Sequence, residues 1–179
     1  GRGALTPHRR AARRGLPVAR RAPRATLALA VAAAALAACR GAPPYAVERL
    51  VVAETEGAQR LEAIGIPRAR LAEVARGQLD RAPGFASGDA GRARRLLAEL
   101  GVESADAFLR GPDEGGVAQV AVTLVLESPD GEPPRRERGA AAEPFVGGPE
   151  EARAGLERAA AAAIGKAAGG VALQLAAER

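Results

Sequence analysis

The chain is poor in the residues that most reaction chemistry needs. Its 179 residues include no methionine, no tryptophan, one cysteine (Cys39) and one histidine (His8). Lysine occurs once, at Lys166, and serine three times, at Ser87, Ser104 and Ser128. Zinc sites of the Cys/His type, Ser-His-Asp triads and Cys-His dyads all need more histidine or cysteine than residues 39–179 hold, because His8 lies before them. A Ser-Lys dyad lacks any elbow motif around the three serines. Gly165-Lys166 is followed by Ala167 and lacks the upstream glycine of a phosphate loop. The paired acids Asp113-Glu114 sit in a glycine-rich turn, and Glu150-Glu151 open a helix, where carboxylates favour the N-terminal dipole. The chain therefore reads as a non-enzyme. Aromatics are limited to Tyr45, Phe85, Phe108 and Phe145, so leucine, valine, isoleucine and alanine must build a thin core. The three phenylalanines read as core rather than contact residues.

What the first 38 residues do contain is a sharp asymmetry. Eight arginines (Arg2, Arg9, Arg10, Arg13, Arg14, Arg20, Arg21, Arg24) stand there without one acid. The apolar run from Thr26 to Ala38 follows, too short for a bilayer core of about 30 Å at about 1.5 Å per residue. A basic flank, a short apolar run and small residues before a cut make a secretory signal. Arg20-Arg21 is followed by Ala-Pro-Arg, which favours general secretion over a twin-arginine route. The chain opens on Gly1 rather than methionine, so a start codon further upstream is an expectation.

Leu36-Ala37-Ala38-Cys39 resembles the lipobox of bacterial lipoproteins. The resemblance implies cleavage before Cys39 and a covalent diacylglycerol and palmitate-type acyl lipid on that cysteine, with no other cofactor and no metal. The alternatives are an ordinary secretory signal with a nearby cysteine, or a retained transmembrane helix. Arg40 stands where aspartate would signal inner-membrane retention in enteric bacteria, which leans towards the outer membrane, facing the periplasm. With Cys39 acylated no disulfide can form.

Cleavage reverses the charge argument. The whole chain has 26 basic and 21 acidic residues, net +5, but residues 39–179 carry 18 basic against 21 acidic, near −3. The basic excess belongs to the leader and points to no nucleic acid. Three segments follow: a signal peptide over 1–38, the lipidated cysteine and tether over 39–46, and one domain over 47–179.

Val47 to Ala53 alternates and then runs apolar, a first strand. The segment "ETEGAQRLEAIG" reads as loop. Ile66-Pro67 predicts a helix start, with Leu71, Val74, Ala75 and Leu79 on one face. Asp89 is placed to cap a second helix, through Ala93, Leu96, Leu97 and Leu100, closed by Gly101. Ala105 to Arg110 reads as a short strand. Val117 to Glu127 is the clearest strand, with Val120, Val122, Leu124 and Leu126 on one face. Ser128-Pro129-Asp130-Gly131 predicts a turn that folds Pro134 to Phe145 back antiparallel. A long helix opens at Gly148-Pro149 and carries Leu156, Ala160, Ala163, Ile164, Ala167 and Val171, with a bend at Gly169-Gly170. The expected class is α+β: a small mixed or antiparallel sheet of about four strands against two to three helices.

The stretch "LDRAPGFASGDAGRARRLLAELGVESADAFLRG", Leu79 to Gly111, with the hairpin and helix behind it, resembles small α/β periplasmic lipoproteins. These are the lipopolysaccharide-assembly (LptE-like) group, the curli-secretion CsgG and penicillin-binding-protein-activator group, and the TolB N-terminal domain. The resemblance implies an envelope assembly factor with a protein or glycolipid partner and carries over no catalytic residue. The alternatives are a structural or stress lipoprotein without a specific partner, and a small-ligand binder with an apolar pocket between sheet and C-terminal helix. Arg135, Arg136 and Arg138 form the candidate contact: an exposed basic edge for lipid phosphates or a partner's sheet edge, or an edge blunted by charge against aggregation.

Overall fold

The computed structural model describes residues 45–86, 93–111 and 115–178, all within the unit Cys39–Arg179. The lipobox, the tether up to Pro44 and Asp89 lie outside the described residues. The elements, in chain order, are β1 (Tyr45–Val52), α1 (Glu56–Ala63), α2 (Arg68–Leu79), β2 (Arg94–Gly111), β3 (Gly115–Glu127), β4 (Arg135–Phe145) and α3 (Pro149–Ala177). They form a four-stranded sheet in the order β1-β2-β3-β4, with β1 parallel to β2 and the other pairs antiparallel. Three helices bury one face of that sheet, and the α+β class holds.

The element order matches the expectation for two opposite reasons. The segment read as loop is α1: Thr55 caps it, its hydroxyl oxygen accepting from the Ala58 N–H at 3.2 Å and its O–H donating to the Val102 carbonyl at 2.7 Å. Gly57, Ala58 and Leu61 are its buried residues, too few to print a helical period in the sequence. Conversely, from Arg94 on, the helix expected up to Gly101 and the short strand after it are one long strand, β2. Leu96, Leu97 and Leu100 fit a 3.6 period, but Leu96, Ala98, Leu100 and Val102 fit a period of two and are the buried set, while Leu97 is 40% exposed. Pairing decided between the patterns, since β2 is hydrogen-bonded to β1 on one side and β3 on the other. Gly101 lies mid-strand opposite Thr123 and stops nothing.

Elsewhere local chemistry and fold agree. Pro67 caps α2 one residue before its start, and Leu71, Ala75 and Leu79 are buried. Val120, Val122, Leu124 and Leu126 of β3 point into the core. The Gly131 N–H donates to the Ser128 carbonyl at 3.2 Å to close the β3–β4 turn, with Gly131 at φ +80°. At the start of α3 the Glu151 carboxylate accepts from the Gly148 N–H at 2.9 Å.

Gly169-Gly170 does not interrupt α3, which runs unbroken to Ala177. The glycines of this interface serve close packing instead. A Cβ on Gly139 would lie 1.9 Å from the Ala163 carbonyl oxygen, and one on Gly170 would lie 2.2 Å from Glu137 Cγ. The helix backbone thus rests directly on β4 there, with Ala159, Ala160, Ala163, Ala167 and Ala168 buried. By length and composition α3 could span a membrane, but half of its apolar window is buried in the domain.

Candidate functional site

The three arginines of β4 do not form one surface. Residues alternate along the strand, so Arg135 points to the helix side with Gly139, whereas Arg136 and Arg138 point to the uncovered face. The expectation of an exposed Arg135 is therefore corrected: it is 9% exposed, the one buried charged side chain among the described residues. Its Nε donates to both carboxylate oxygens of Glu178, at 3.2 and 3.0 Å, and its Nη2 to Glu132 at 3.0 Å. Nη1 is buried without a hydrogen-bond partner among the described residues. The Glu178 hydrogen bond is the main reason its pKa is raised still further. Glu132 also takes a close hydrogen bond from Arg94, whose guanidinium carbon sits 5.9 Å from the Tyr45 ring centre. Arg94 and then Arg135 hold the Glu132 carboxyl below the usual carboxylate range. One chain of contacts thus ties the entry of β1 to the ends of β4 and α3.

Arg138 lies across the open face. Its Nε donates to Glu103 of β2 at 2.6 Å, over Thr123 of β3, whose hydroxyl donates to the same carboxylate. Those two bonds, Thr123 first, hold Glu103 below the usual carboxylate range. Arg136 is exposed on the same face.

The outer edge of β4 is occupied as well. Side chains of α3 reach over it: Arg158 donates to the Pro144 carbonyl at 3.4 Å, Lys166 to Ala140 at 2.8 Å and Gln174 to Arg136 at 3.2 Å. Steps of eight along the helix match steps of four along the antiparallel strand, since about 1.5 Å and 3.4 Å per residue give similar lengths. These carbonyls would be the acceptors for an added strand, so β4 is not an open edge for a partner's sheet. Sequence reasoning missed this. The available signal was a lone lysine in an alanine-rich helix, flanked at eight residues by two other long donors.

Apolar groups are exposed at the opposite end of the sheet. Phe108 is 56% exposed, which corrects its reading as core, and Leu109 and Val146 are 66% and 76% exposed. Phe145 is buried as expected and Phe85 is half-buried, its ring centre 6.3 Å from that of Tyr45. Cross-strand register sets Phe108, Val117 and Pro144 in a row on the open face, and Leu109, Gly116 and Phe145 in a row on the helix side. Surface hollows among the described residues lie over β1 and β2 on the open face, beside α1 at Ser104, and at the β3–β4 turn, and charged side chains line each. No three His, Cys, Asp or Glu side chains gather as a metal site among the described residues.

No family model matches the chain, and no curated protein matches it. Among solved structures it is similar to a candidate lipoprotein from Caulobacter crescentus, at 18% identity and TM-score 0.46, covering 74% of this chain and 88% of that one. A DUF330 protein from Xanthomonas campestris is similar at 11% identity and TM-score 0.47, covering 77% of this chain and 90% of the other. A PelC dodecamer from Paraburkholderia phytofirmans is similar at 19% identity and TM-score 0.38, covering 71% and 86%. At these scores the likeness carries no inference about the role of this chain, and none of the three bears the name of an assembly group resembled by its sequence.

Proposed function

We propose that the chain is a lipid-anchored cell-envelope protein, cleaved before Cys39 and acylated there. In this reading it faces the periplasm from the outer membrane and acts without catalysis, by binding a protein or glycolipid partner in outer-membrane assembly or secretion. The observation that carries it is the junction. Leu36-Ala37-Ala38-Cys39 follows a basic flank and an apolar run, and Tyr45, six residues after the cysteine, is already buried in β1. The link from Cys39 to Tyr45 spans at most about 20 Å when extended. An acyl chain there would hold the domain at a membrane surface and raise its effective concentration for any partner in that membrane. The close seating of α3 on β4 through Gly139 favours a binding surface over a ligand cavity between helix and sheet.

The test is fractionation of the full-length protein beside Cys39→Ala, with mass spectrometry of the N-terminal peptide. The expected result is an acylated Cys39 in the outer-membrane fraction and release of Cys39→Ala. Soluble wild type, or an unmodified cysteine, ends the proposal.

A further inference from the structure

We draw no further inference here: the strongest candidate, the hollow of the open sheet face over β1 and β2, where Val51 and Leu97 stand 42% and 40% exposed beside Arg49, Glu99 and Glu127, is an unpartnered face, and nothing in the structure shows what covers it.

Discussion

On the face under the helices, Leu96, Leu100, Val102, Val120, Val122, Leu124 and Leu126 are all at most 2% exposed, and Gly139 admits the backbone of α3. On the other face the same strands carry Leu97, Glu99, Glu103, Thr123, Arg136, Arg138 and Phe108, all reached by water. The two sets interleave residue by residue. Position within the pleat, rather than residue type alone, sets what a side chain contributes, so a leucine is core at 96 and surface at 97.

The sharpest test sets two leucines against each other. Leu124→Ala is expected to cost about 2–5 kcal/mol, through lost burial and the cavity left, and Leu97→Ala under about 1 kcal/mol. Denaturant unfolding measures both, and equal losses would break the comparison. Next come two glycines. Gly139→Ala forces a methyl into the Ala163 carbonyl and should cost about 1–3 kcal/mol, whereas the methyl of Gly101→Ala meets the Thr123 oxygen at an ordinary 3.8 Å and should change stability by less than about 1 kcal/mol.

A smaller effect belongs to the charges. Arg138 and Glu103 are both well exposed, so Arg138→Ala should cost about 0–1 kcal/mol. The folded pKa of Glu103 is depressed, so its contribution is present at neutral pH and is lost as pH falls through that depressed value, below the ordinary carboxylate range. Melting temperature followed from pH 7 downward should therefore drop less steeply for Glu103→Gln than for wild type. Least visible in stability is the sealed edge. Lys166→Ala/Gln174→Ala should shift unfolding by under about 1 kcal/mol. It frees the Ala140 and Arg136 carbonyls, however, and light scattering should show concentration-dependent association.

Legibility followed the range of the interaction. β3 was readable because its alternation runs clean over a whole strand, and α3 because eleven buried positions repeat at helical spacing. The β3–β4 turn was readable from Pro129 and Gly131. By contrast α1 has one buried turn, and its cap gains half of its meaning from a carbonyl 47 residues away, at Val102. The candidate site suffered most. "RRER" reads as one basic run, yet the pleat sends Arg135 inward to Glu178 and Arg138 outward to Glu103.

By itself the sequence determined the order of basic flank, apolar run and cysteine, the sign of the charge after Ala38, the α+β class and the strongest strand and helix. Each is a matter of composition or of neighbours a few residues apart. Only the tertiary structure decided that Leu96 to Leu100 extend rather than coil, that Arg135 is buried, that α3 closes the edge of β4, and that Phe108 stands in water at the far end. Those outcomes depend on which distant backbone groups and side chains meet, and a local period compatible with both helix and strand is resolved only when the hydrogen bonds find their partners.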